Sequence, residues 1–278
     1  MKILLAIFVI PSIIISQSLQ FVNDFGNFEN ATSFDIDLSQ NFYISDERTN
    51  NIIKIDSNGN QLNSIGGYGW EPSTFDEPID IVTNTLSLYV ADKNNHRIQR
   101  FDKDLNFLSE YSGTNSNNEI MFGYPICINI SNIGDLYILD SDNNKILKFN
   151  LNGEFLQEIG GNDAGIFAIN NPKSFVIDNS NNIIVLDEAY IKVFDQYGND
   201  LFYFKPKGKV NKLKFSSGLL IFLNENEIKL YDLINRKMIS EFSNLPNFDK
   251  DKIVDAEIVA DNLFVLTQNR ILKYFIIK

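Results

Sequence analysis

The chain carries few groups that perform chemistry unaided. It has one histidine, His96, and one cysteine, Cys127, so no Cys/His zinc cluster can be assembled. Cys127 lies in an apolar segment and reads as a small buried residue, with no second thiol for a disulfide. An imidazole can act as a general base, but no Ser or Cys nucleophile with a supporting acid can be paired with His96 from the sequence. Oxygen chemistry is better supplied. The turn Asp140-Ser141-Asp142-Asn143-Asn144 alternates oxygens in the manner of a Ca²⁺ loop. Such a loop needs Gly at its sixth position and Glu at its twelfth, where Lys145 and Leu151 stand. Its Asp is therefore expected to cap its own turn by accepting backbone N–H bonds. A second set, Asp35, Asn129 and Glu257, is scattered along the chain and converges on a cation only if the fold gathers it.

The elements that must do the gathering show as a repeat. YISDERTNNIIKID (43–56), YVADKNNHRIQRFD (89–102) and YILDSDNNKILKFN (137–150) align without a gap, each reading strand, polar turn, strand. Degenerate copies follow at 183–195, 221–232 and 264–275. Asp46, Asp92, Asp140, Asp187, Asn224 and Thr267 mark the same point in each, at separations of 46, 48, 47, 37 and 43 residues. A period in the forties with several short strands is a β-propeller signal. Each unit reads as four strands. Strand A follows the loop proline (PIDIVTN, 78–84), strand B ends at the marker, strand C is the RIQRF-type segment, and strand D is FLSEYSG (107–113) or FLQEIGG (155–161). Gly and Asn in the C–D turns supply the positive φ that a tight hairpin needs. The aromatic content, 23 Phe and 11 Tyr, also favours strands.

The string VADKNNHRIQRFD, with Asn95-His96-Arg97 at its centre, resembles the signature of NHL repeats. The Gly-rich loop ahead of it, IGGYGWEPSTFDEPIDI (65–81), resembles that family's loop ending in Phe and Pro. The resemblance spans residues 19–278, strong in repeats two and three and weak in five and six. It implies an all-β, six-bladed propeller of four-stranded blades, with His96 at a structural position. The sixth unit runs out of chain after strand C. LQFVNDFGN (19–27) matches strand D, so the N-terminal strand is expected to pair with the last C strand and close blade six. An open ring would leave sheet edges exposed.

Strand A lines the channel of a propeller, and residues of one parity point inward. Aligned positions form one ring of Ser33, Asp80, Cys127, Ser174, Lys212 and Asp255, and a second of Asp35, Val82, Asn129, Val176, Lys214 and Glu257. Lys214, Glu257 and Asp35 should therefore lie side by side. Some six-bladed lactonase-like hydrolases hold calcium in the channel through Glu, Asn and Asp. Fold likeness thus makes Asp35, Asn129 and Glu257 the metal candidates. The competing reading is a solvated channel in which Lys212 and Lys214 neutralise the acids and repel a metal. We expect no cofactor, with Ca²⁺ as the alternative. The histidine-rich zinc site of the peptide-amidating lyases of this fold is unavailable to a chain with one His.

The D–A loops at 64–78, 112–125 and 159–172 are long and lie on one face of blades two to four. Phe75, Phe122 and Phe167 sit at similar distances from the loop ends and are expected to pack between blades. Tyr68, Trp70, Met121 and Tyr124 are the binding candidates, because exposed aromatics rimmed by polar residues suit protein or glycan recognition. At the N-terminus, Lys2, an apolar run over 3–15 and Ser16-Gln17-Ser18 read as a signal peptide over residues 1–18, too short to span a membrane comfortably. The propeller, 19–278, is expected to be secreted or periplasmic. A net charge of −12 without a basic cluster argues against nucleic acid. The leading expectation is an exported, non-enzymatic binding module. The alternative is a calcium-dependent lactonase-like hydrolase or lyase with its site at the channel.

Overall fold

Short runs of alternating burial, separated by turns that begin with Asp or Asn, build every blade. Six turns share one device. The side chains of Asp37, Asp56, Asp102, Asn150, Asp178 and Asp195 each accept the backbone N–H groups two and four residues on. This Asx geometry closes the chain without help from the core. At Gly59 the turn also needs φ +85°, and a Cβ there would lie 2.7 Å from Phe25.

The computed structural model describes residues 17–112, 123–161, 165–248 and 251–277. The expected signal peptide therefore lies, but for its last two residues, outside the described residues. Strand β1 (Ser18–Phe25) comes first. Blade one is β2 (Ala31–Ile36), β3 (Phe42–Asp46), β4 (Asn51–Ile55) and β5 (Gln61–Gly66). Blade two is β6 (Pro78–Thr83), β7 (Ser87–Asp92), β8 (Arg97–Asp102) and β9 (Phe107–Ser112). Blade three is β10 (Pro125–Ile130), β11 (Leu136–Asp140), β12 (Lys145–Phe149) and β13 (Phe155–Ile159). Blade four is β14 (Pro172–Ile177), β15 (Ile183–Asp187), β16 (Tyr190–Phe194) and β17 (Asp200–Phe204). Blade five is β18 (Lys212–Ser216), β19 (Leu219–Asn224), β20 (Glu227–Asp232) and β21 (Lys237–Ser243). Blade six is β22 (Asp255–Val259), β23 (Asn262–Leu266) and β24 (Ile271–Ile277), completed by β1. Each blade is a four-stranded antiparallel sheet, and a single 3₁₀ turn, Gly165–Phe167, is the one helical segment among the described residues.

The ring closes as the repeat pattern requires. β1 pairs with β24 from Ser18↔Ile277 to Phe25↔Ile271, with a register irregularity between Phe21 and Asn23. Arg270 reinforces the seam, pairing with Asp24 at 2.6 Å and Asp251 at 2.7 Å. Apolar side chains fill the space between neighbouring blades. At the closing seam, Phe42 of blade one meets Phe264 of blade six edge-on at 5.0 Å and Phe25 of β1 edge-on at 5.3 Å. Burial falls outward: β7 is buried throughout, whereas β9 alternates half-buried and exposed. Such alternation is expected of a strand with one face on its neighbour and one in water.

Candidate functional site

In five of the six blades the marker residue is the end of strand B, and in blades one to four it is a buried Asp. Its role exceeds the expected capping of its own turn. Asp46 accepts the N–H groups of Glu29 and Asn30, Asp92 that of Asp76, Asp140 that of Gly123, and Asp187 those of Asn170 and Asn171. Each marker thus fastens the incoming D–A loop to its blade. Its own turn is a second client: Asp46 also accepts Thr49 N–H, and Asp140 those of Asp142 and Asn143. The Asp140 turn is accordingly a hydrogen-bonded hub.

The Asn95-His96-Arg97 triplet organises the aromatic face. Arg97 is buried, with Nε 2.8 Å from Asp92. Its Nη1 donates to Trp70 O at 2.7 Å and Glu110 Oε2 at 3.0 Å, and its Nη2 to Glu71 O and Thr74 O. Asn95 Nδ2 donates to Gly69 O, while Gln99 accepts Ser73 N–H and donates to Thr74 O. The backbone of the loop is therefore pinned from below, and Tyr68 and Trp70 project from it with 70% and 65% of their surface exposed. Phe75 is the loop's buried anchor, as expected, and Phe167 packs against Phe194 and Tyr203. Tyr124 is less free than its sequence suggests. Its ring lies 4.7 Å from that of His96, which sits at φ +51°, so His96 acts here as a support for Tyr124. Met121 and Phe122 lie outside the described residues.

At the opposite ends of the A strands, a channel cavity of about 230 Å³ is lined by the whole second ring and by Asp80, Cys127 and Lys212 of the first, with Asn132 and Asn179 also on its wall. Its floor is a continuous polar network. Ser33 Oγ donates to Asp80 at 2.6 Å and lies 3.1 Å from Asp255, and Lys212 Nζ lies 2.8 Å from Asp255. One layer up, Lys214 Nζ donates to Phe34 O at 2.8 Å and lies 3.7 Å from both Asp35 and Asp255. The inferred neighbourhood of Lys214, Glu257 and Asp35 is thus present. Burial pulls the Lys214 ammonium down, but Asp255, Asp35 and Glu257 together hold it above its ordinary value. Burial alone would raise Asp255, yet Lys212 and Lys214 hold it low. Glu257 goes the other way: burial and the adjacent Asp35 charge push its carboxyl well above the usual range. Its Oε2 is buried without a hydrogen-bond partner. Burial pushes the Cys127 thiol up, leaving it inert.

These residues do not fit a calcium ion. Asp35 Oδ2 already accepts Thr83 N–H at 2.6 Å and Asn129 Oδ1 accepts Ile130 N–H at 3.0 Å. The Lys214 ammonium, 3.7 Å from Asp35, would repel a cation at these oxygens. Among the described residues no group of three His, Cys, Asp or Glu side chains is arranged to hold a metal.

The family model described as NHL repeat matches residues 75–101, the end of the Trp70 loop through strand β8. The match falls within blade two of a closed ring of six four-stranded blades and supports the likeness to NHL-repeat propellers. The chain is a six-bladed β-propeller that carries an NHL repeat. No curated protein matches this propeller by sequence. Solved structures do match it in fold. A virginiamycin B lyase from Staphylococcus aureus is 15% identical, covers 94% of this chain and 100% of its own, and gives a TM-score of 0.63. A catalytically inactive histidine-to-alanine variant of that lyase with quinupristin gives 14% and 0.66, over 94% and 100%. A streptogramin B lyase gives 12% and 0.66, over 95% of this chain and 99% of its own. At these identities the likeness is one of fold.

Proposed function

We propose that this propeller is an exported, non-enzymatic binding module. It presents the D–A loop face of blades two to four, with Tyr68 and Trp70 foremost and Tyr124 on the same face, to a protein or glycan partner; Met121, outside the described residues, remains a candidate from the sequence. The observation that carries this reading is the clamp: a buried arginine holds the loop carbonyls so that an exposed indole is displayed from fixed backbone. A pre-ordered loop loses little conformational freedom on binding, and Trp is the commonest anchor of such surfaces. The mature chain, residues 19–278, immobilised against glycan arrays and envelope proteins, tests it. Trp70→Ala should weaken capture at least about tenfold, or about 1.4 kcal/mol. Undiminished capture by a folded Trp70→Ala protein would dismiss this face.

The channel cavity favours a second reading, a hydrolase or lyase. A buried carboxyl whose affinity for its proton is raised, as burial and the adjacent Asp35 raise that of Glu257, is what a general acid requires. The like-folded lyases lend it context. Against it stand the lysine beside Asp35 and the location of the one histidine. His96 adjoins the Pro78 end of β6, whereas the cavity is lined by Ile81, Val82 and Thr83 at its other end. A thermal-shift comparison in Ca²⁺ and in EDTA separates the readings. The binding module should melt at the same temperature in both, and a rise of several degrees in Ca²⁺ would favour the enzyme.

A further inference from the structure

The two ends of the propeller expose different side chains. On the D–A loop face the exposed large residues are aromatic, Tyr68, Trp70 and Tyr124 among them, and Ile166 is the one exposed leucine or isoleucine there among the described residues. At the opposite end, where strand A turns into B and C into D, they are mostly aliphatic. Ile234 and Leu38 have 92% and 89% of their surface in water, and Leu86, Ile133, Leu151 and Tyr197 stand exposed on other turns of that end. Blades one to five thus each present at least one. Just behind the turns, the second residue of strand D is an exposed leucine in blades one to four: Leu62, Leu108, Leu156 and Leu201. Single exposed apolar residues are ordinary, but a gathered set marks a contact surface.

Each of the six turn residues stands one or two positions after the side chain that closes its turn. Asp37, Asn84, Ser131, Asn150, Asp195 and Asp232 accept N–H groups of their own turns. The tips are therefore held in water by hydrogen bonds, on six separate turns, a spacing that suits a yielding layer better than one docked helix or side chain. Charge narrows what can cover them. Asp56, Asp102, Asp195 and Asp232 lead C–D turns at this end, and hydrogen bonds from Asn60, Asn106, Asn199 and Asn235 hold each carboxyl below its usual range. These carboxylates stay ionised, so a second copy packed on the same face meets like charge, and an anionic surface is repelled. Chain continuity points to the occupant. Strand β1 starts at Ser18, opposite Ile277 at the end of β24, so the chain enters the ring at this end. Residues 3–15, just upstream, are an apolar run broken only by Pro11 and Ser12. A bilayer that takes up that run meets this face of the propeller first.

We propose that the A–B and C–D turn face, with its apolar turn tips, docks on a lipid bilayer of low surface charge, the tips entering the boundary between headgroups and acyl chains. The Trp70 loops then point away from the bilayer. The proposal goes beyond the reading of the Trp70 face as a binding surface and does not depend on it. The test floats the mature chain, residues 19–278, which holds all six closed blades, with phosphatidylcholine vesicles. Partition is expected below about 1 mM lipid, weak and reversible as for a single acyl anchor, and unchanged by added salt. Leu38→Ser combined with Ile234→Ser should weaken it at least about tenfold. Both side chains are almost wholly in water, so the double variant should melt as the parent does. Phosphatidylglycerol vesicles should bind less at low salt. Phosphatidylcholine brominated in its acyl chains should quench the indole introduced by Leu38→Trp in a Trp70→Phe background, and should leave Trp70 of the parent unquenched. Absence of partition, equal partition of the double variant, or quenching of Trp70 in the parent would overturn the proposal. So would tighter binding to phosphatidylglycerol that salt abolishes, or a dimer of the mature chain that the double variant loses while vesicles stay unbound. Trp70→Ala should leave partition intact, so failure here and failure of the Trp70 surface are separate results.

Discussion

In the channel, Glu257 and Asp255 respond to one charge cluster in opposite senses. Two lysines stabilise the Asp255 carboxylate, whereas Glu257 faces Asp35 and the desolvated wall. The raised Glu257 pKa means that the folded chain binds a proton which the unfolded chain releases above its ordinary value of 4.5. That contribution to stability is complete below the ordinary value and is lost as pH rises through the native one. Asp255, held low, contributes above its ordinary 3.8 and loses that contribution only in stronger acid. Melting temperature should therefore fall as pH is raised from 5 through Glu257's native pKa, and Glu257→Gln should flatten that fall. A melting series from pH 5 to 9 checks it; identical slopes for both proteins would show the proton is not on Glu257. Inward parity along strand A makes these ring positions readable one blade at a time. Which acid keeps a proton depends on distances between blades, which no single strand encodes.

The strand C to loop contact is the element on which the aromatic face depends. Arg97 satisfies Asp92 and three loop carbonyls at once. Arg97→Ala strands a buried carboxylate, and loss of one partner of a buried pair typically costs about 3–5 kcal/mol. Arg97→Lys should recover the charge but not the fork of donors, so the loop stays loose. Trp70 is the chain's one tryptophan, so its fluorescence anisotropy reports on the loop directly. Anisotropy should drop in both variants, with a fall in denaturation midpoint largest for alanine. Unaltered anisotropy in Arg97→Ala would mean that the loop holds itself. The NHR string is visible in the sequence, but the reach of Arg97 to carbonyls more than twenty residues earlier is not.

At the scale of the whole ring, early and late chain meet in one sheet. Removing residues 19–27 strips the outer strand from β24, uncovers Tyr274 and Ile276, and frees Arg270 from Asp24. Because adjacent blades share their apolar faces, the loss should propagate. The truncated protein should unfold at least about 10 °C lower, or lose its single cooperative transition, rather than lose one blade. Calorimetry distinguishes these outcomes, and an unchanged melting temperature would dismiss the closure as a stabilising device.

The period of the repeat, the four strands of each unit, the Gly- and Asn-bearing C–D turns and the closing strand were all legible in the sequence. Each rests on chemistry within a few residues: alternation, turn dihedrals and side-chain caps. The N-terminal closure was legible because a missing strand at one end matched a surplus one at the other. The marker Asp residues were legible as caps, but their main clients, the D–A loops, came from the fold. Tertiary structure alone decided that the aromatic loops and the charged cavity lie at opposite ends of the A strands. The neighbourhood of Lys214 and Asp35 followed from the aligned repeats, but their 3.7 Å separation came from the fold. These outcomes depend on how one blade's face meets the next, and side chains from blades one, five and six become neighbours only when the ring is closed.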